Sequence, residues 1–82
     1  MILVEVLLPD QGRKLYVSVK PRTQIGAIGR RICKVIDPIG EEREKDYKMV
    51  NLDDMCVPDS NMTVAEAGLF NGSRLLFVKD TK

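Results

Sequence analysis

The sequence has no histidine and no tryptophan, and only two cysteines, two tyrosines and two phenylalanines in 82 residues. Each scarcity excludes something. Without histidine, the Ser-His and Cys-His pairs that activate a nucleophile cannot be assembled. Cys33 and Cys56 alone do not make a zinc site, and they form no C-x-x-C motif. So few aromatics leave the core to Ile, Val and Leu, which dominate a 44% hydrophobic composition. No apolar run approaches the roughly 20 residues that span a bilayer, so no direct membrane insertion is expected. Met1 leads straight into a strand pattern with no basic leader, which implies a cytoplasmic protein with free thiols. The net charge of +1 gives no broad attraction to nucleic acid.

The charge that is present is unevenly placed. Residues 11–36 carry seven bases (Arg13, Lys14, Lys20, Arg22, Arg30, Arg31 and Lys34) and no acid. Residues 37–59 carry eight acids against three bases. A dipole of this kind can orient a partner, and the basic side of the helix around Arg30, Arg31 and Lys34 is one candidate binding surface.

What is present reads as a hairpin, a helix and two further strands. Leu15, Val17 and Val19 alternate with Tyr16, Ser18 and Lys20, while Ile2, Val4, Val6 and Leu8 share one face of the preceding arm. Pairing Ile2 with Val19, Val4 with Val17 and Val6 with Leu15 leaves Pro9-Asp10-Gln11-Gly12 as the loop, with Gly12 supplying a positive φ. Pro21 ends the second strand and Thr23 is the expected helix cap. Ile25, Ile28, Ile32 and Val35 or Ile36 recur at helical spacing, with Gly26 and Gly29 assigned to the polar side. Pro38 closes the helix.

The charged stretch from Gly40 to Asp46 reads as an exposed loop. A strand over "YKMVNL" follows, with Val50 and Leu52 expected inward and Val57 anchoring the loop after it. Thr63 with Glu66 three residues on forms a capping box for a short helical turn ended by Gly68. Asn71-Gly72 turns into the last strand. There is no repeat, linker or second composition, so residues 1–82 read as a single domain. The fold class is α+β: a four- to five-stranded mixed sheet with one helix across one face, in the order β-β-α-β-short helix-β.

No catalytic constellation emerges. Asp53-Asp54 reads as a solvated turn rather than a metal pair. Cys33, near Arg30 and Arg31, reads as an inert helix cysteine. "GAIGR" lacks the spacing and strand context of a phosphate loop. No enzyme, cofactor or metal is expected. What remains is surface: the hairpin register turns Leu3, Leu7, Tyr16, Met49, Leu76 and Val78 to the sheet face away from the helix, rimmed by Lys14, Arg74 and Lys79. A protein partner is the expected occupant, and a second copy in a homodimer is the alternative.

The stretch "VKPRTQIGAIGRRI" and the ending "MTVAEAGLFNGSRLLFV" resemble the ubiquitin-like superfamily, whose β-grasp fold the resemblance extends over about residues 2–79. The same resemblance implies partner binding through the outer sheet face. Val64, Gly68, Leu69, Asn71, Gly72, Ser73, Leu75 and Phe77 also match a signature of the YukD/EsaB group, with Val64 in place of the usual leucine. Those small bacterial proteins are linked to type VII (WXG-type) secretion in Gram-positive bacteria. The resemblance therefore implies a regulatory or accessory role, with a cytoplasmic part of that machine as partner. A ubiquitin-like regulator unrelated to secretion is the other non-enzymatic reading. Modifiers and sulphur carriers of the superfamily end in Gly-Gly, whereas this chain ends "KDTK". Incubation with an activating enzyme and ATP is accordingly expected to yield no thioester or conjugate, as read by non-reducing electrophoresis.

Overall fold

A computed structural model describes residues 1–40 and 46–80. The elements are β1 (Ile2–Leu8), a 3-10 turn (Pro9–Gln11), β2 (Arg13–Val19), α1 (Ile25–Ile36), β3 (Tyr47–Asn51) and β4 (Arg74–Lys79). The four strands form one mixed sheet in the order β2-β1-β4-β3. β1 runs antiparallel to β2 and parallel to β4, and β3 runs antiparallel to β4. Most of the charged loop expected over Gly40 to Asp46 lies outside the described residues.

The hairpin adopts the expected register, with Ile2 opposite Val19, Val4 opposite Val17 and Val6 opposite Leu15. Gly12 closes it at φ 63, a left-handed geometry that only glycine takes without strain. Alternation then sorts the side chains. Val4, Val6 and Leu8 of β1, Val19 of β2, Met49 of β3 and Leu75 and Phe77 of β4 are buried, together with Ile25, Ile28 and Ile32 of α1. Val64 and Leu69, from the turn before β4, complete that core.

The helix begins one residue later than its sequence implies. Gln24, not Thr23, stands at the N-cap, and no side chain caps the helix. Thr23 instead accepts a hydrogen bond from the Lys20 N–H through Oγ1, at 3.3 Å. The first helical N–H groups find backbone partners: Ile25 donates to the Met62 carbonyl at 2.8 Å and Gly26 to the Ser60 carbonyl at 2.9 Å. These bonds do the work of a cap, because they satisfy donors that have no partner within the helix. They also explain Gly26, since a Cβ there would meet the Ser60 carbonyl oxygen at 3.2 Å. Gly26 and Gly29 are buried, not on the polar side where periodicity placed them.

The turn before β4 matches its sequence reading. Thr63 N–H donates to Glu66 Oε1 at 2.9 Å, and Glu66 N–H donates to Thr63 Oγ1 at 3.1 Å, a reciprocal capping box. Gly68 ends the turn at φ 75.

β3 is the principal correction. Met49 points inward and is 7% exposed, whereas Val50 is half-buried on the other face, and Leu52 falls in the following turn outside the core cluster. Two neighbours set this phase. Tyr47 stacks on Phe77 with ring centroids 4.5 Å apart and planes 5° apart, which draws the odd-numbered residues inward. Asn51 is buried at 4% exposure, and its side-chain oxygen accepts the Asp53 N–H at 3.0 Å, so it pins the turn that leaves the strand. Val57 does not anchor the next loop: it is 58% exposed, and Met62 packs against the core instead.

Two outcomes follow. Ile32→Ala is expected to lower stability by about 2–5 kcal/mol, read by thermal or denaturant unfolding. Met49→Lys is expected to abolish cooperative unfolding, while Val50→Lys is expected to leave the melting temperature within a few degrees, because only Met49 would bury the charge.

Candidate functional site

The sheet face opposite α1 is built by the outward positions of all four strands. On β1 these are Leu3, Glu5 and Leu7, on β2 Lys14, Tyr16 and Ser18, on β3 Lys48 and Val50, and on β4 Arg74, Leu76 and Val78. The register arranges them in rows. Val50 lies opposite Leu76, Leu76 beside Leu7, and Leu7 opposite Lys14. The first three are half-buried aliphatic side chains on adjacent strands, so they form one apolar strip ending at a lysine. Val78 adjoins the strip on β4, with Lys48 opposite it.

The next row is charged. Arg74 lies beside Glu5, and Glu5 opposite Tyr16. Lys14 Nζ sits 4.0 Å from Glu5 Oε1 and 5.9 Å from the centre of the Tyr16 ring, so its ammonium bridges the two rows. Beyond that row lies Leu3, 47% exposed and opposite Ser18.

The sequence-predicted surface is thus partly reassembled. Leu7, Leu76 and Val78 come together. Leu3 lies across the Glu5–Arg74 row from them, and Tyr16, 60% exposed, stands in that row opposite Glu5. Met49 drops out, because it belongs to the core, and Val50 takes its place. Val50 was missed because Met49 and Val50 are adjacent and both apolar; the polar Lys48 before them was the available signal that its own phase, and so Val50's, faces water.

Arg30, Arg31 and Lys34 are exposed on α1, away from this face. Arg31 is engaged with the sheet edge: its Nη1 donates to the Ser18 carbonyl at 3.3 Å. Asp53 and Asp54 serve the turn after β3, Asp54 Oδ1 accepting the Cys56 N–H at 2.9 Å and Asp53 Oδ2 accepting the Arg74 N–H at 3.4 Å. Cys33 is buried and Cys56 exposed, and neither is in a disulfide. Among the described residues, no helix is long and apolar enough to cross a membrane.

No protein-family model and no curated protein matches the sequence. Solved structures do match the fold. Ubiquitin of Caldiarchaeum subterraneum superposes with a TM-score of 0.78 at 13% identity, over 99% of this chain and 95% of that one. The ubiquitin-like domain of Plasmodium falciparum Dsk2 gives 0.80 at 11% identity, over 96% and 97%. A computationally designed protein based on human erythrocytic ubiquitin gives 0.80 at 23% identity, over 100% and 95%. The chain therefore has the ubiquitin-like β-grasp fold over essentially its whole length.

Proposed function

We propose that the protein is a non-enzymatic interaction module that docks a protein partner on the outer face of its sheet. The observation that carries this reading is the strip Val50–Leu76–Leu7, apolar across three adjacent strands and bordered by Lys14, Lys48 and Arg74. Aliphatic side chains held on a rigid sheet lose little entropy on binding, so covering them with a partner gains hydrophobic energy at small ordering cost. The border sets Lys14, Lys48 and Arg74 against Glu5, so its net charge favours a partner whose matching surface is apolar at its centre and acidic at its rim.

The resemblance of "MTVAEAGLFNGSRLLFV" to the YukD/EsaB group supports a narrower version, in which the partner is a cytoplasmic part of a bacterial type VII secretion machine. Genomic neighbourhood bears on that version directly: genes for a membrane-bound secretion ATPase and small helical effectors beside this one support it, and their absence points to a different regulatory role.

Leu76→Asp is the test of the docking face. In the free protein the carboxylate remains in water, so folding by circular dichroism should match the wild type. In a complex it would be desolvated against the apolar centre of the partner surface, which costs several kcal/mol and should abolish binding. Val50→Asp should behave alike and Tyr16→Ala should bind nearly as wild type. Equal recovery of the same partners from a native lysate by wild type and Leu76→Asp would exclude this face and direct attention to Arg30, Arg31 and Lys34.

A further inference from the structure

The turn that leads into β4 holds the one Asn-Gly pair of the sequence, Asn71-Gly72, and both residues are exposed. Asparagine followed by glycine is prone to cyclise, because glycine has no side chain to keep its nitrogen away from the side-chain amide carbon. The other asparagines, Asn51 and Asn61, precede Leu52 and Met62, whose side chains obstruct that approach. Gln11-Gly12 would have to close a ring one atom larger, which is far slower.

The fold clamps this pair to one residue of β1. Asn71 Oδ1 accepts the Leu3 N–H at 2.9 Å, and the Gly72 N–H donates to the Leu3 carbonyl at 2.9 Å. Ser73, the next residue, is fully buried. Its N–H donates to the Phe70 carbonyl at 2.9 Å, its Oγ accepts the Phe70 N–H at 2.8 Å, and its carbonyl accepts the Glu5 N–H at 2.9 Å. The two groups that would react are therefore both committed to Leu3. One bond fixes the Asn71 side chain, and the other holds the hydrogen that the Gly72 nitrogen must lose. Leu3 is the second residue of β1 and lies close to Met1, which is 81% exposed. Strand ends of this kind open locally at far lower cost than the core.

We propose that Asn71-Gly72 is a self-modification site, gated by Leu3, at which the protein converts itself to an isoaspartyl form that cannot restore the β1–β4 junction. When the end of β1 opens, the Gly72 nitrogen attacks Asn71 Cγ. A new N–C bond forms, the Cγ–Nδ2 bond breaks, and ammonia leaves with the hydrogen of Gly72. Water then opens the cyclic imide. Attack at Cγ gives aspartate, whose carboxylate still accepts the Leu3 N–H. Attack at the main-chain carbonyl gives isoaspartate: the chain now runs through Cβ and Cγ, one atom longer, and the former carbonyl becomes a free carboxylate. The extra atom falls inside the Phe70–Ser73 turn, so the Gly72 N–H and the Ser73 carbonyl no longer meet Leu3 and Glu5 together. The ammonia is lost to solvent, so each opening that reacts is recorded permanently.

The experiment follows the full chain at mildly alkaline pH, folded and in urea. Ion exchange reads the new negative charge, mass spectrometry the exchange of amide for acid, and peptide mapping separates aspartate from isoaspartate. In urea, Asn71 should deamidate at least about tenfold faster than in the folded protein, and ahead of Asn51, Asn61 and Gln11. In the folded protein the rate should rise in proportion to hydrogen exchange of the Gly72 amide. That proportionality should hold across subdenaturing urea and in Ile2→Gly, which loosens the end of β1 and leaves Asn71-Gly72 unchanged. Asn71→Asp should keep the Leu3 and Glu5 amides protected from exchange, and the purified isoaspartyl form should lose protection at both. Equal rates in the folded and unfolded chain, or a rate that does not follow Gly72 exchange, would overturn the gate. No preference for Asn71 in urea would overturn the site, and full protection in the isoaspartyl form would overturn its consequence.

Discussion

The parallel pairing of β1 with β4 joins the two ends of the chain at the centre of the sheet, and the other elements are arranged around it. Val6 sits beside Leu75 and Leu7 beside Leu76, pairs separated by nearly the whole sequence. A parallel neighbour cannot be reached by a tight turn, so the chain must leave the sheet, cross it and return. α1 is that crossing, and its Ile25, Ile28 and Ile32 cover the buried face that β1 and β4 share. The pairing is locked at its entrance by Asn71 and Gly72 against Leu3 and by Ser73 against Glu5. At its exit Asp10 Oδ2 accepts the Lys79 N–H at 2.9 Å, tying the hairpin loop to the end of β4.

The same pairing shapes the outer face of the sheet. Because β1 and β4 are central, Leu7 and Leu76 stand in the middle of the outer face, where Val50 extends them on one side and Lys14 ends the row on the other. Among the described residues, β2 pairs with β1 on one side only.

Local chemistry governs the turns. The Thr63–Glu66 capping box, Gly68 and Gly12 at positive φ, and the Pro9–Gly12 loop all depend on bonds or backbone angles within a few residues. These were legible in the sequence, as were the hairpin register and the inward isoleucines of α1, because strict alternation and helical spacing leave one consistent assignment. The succession of elements was also legible, whereas the order β2-β1-β4-β3 within the sheet was not, because it rests on the pairing of β1 with β4.

Tertiary contacts decided the rest. In "YKMVNL" both phases are apolar, so alternation could not choose between Met49 and Val50; the Tyr47–Phe77 stack and the buried Asn51 chose, and they moved one residue of the outer face. Thr23 is a good cap by type, yet carbonyls from Ser60 and Met62, distant in sequence, satisfy the helix start and make Gly26 a close-approach site instead of a helix weakness. The sequence by itself determined where the chain turns and which helix and hairpin residues are apolar inward, since those preferences act over a few residues. Only the folded structure decided phase and capping, because each is set by groups distant in sequence.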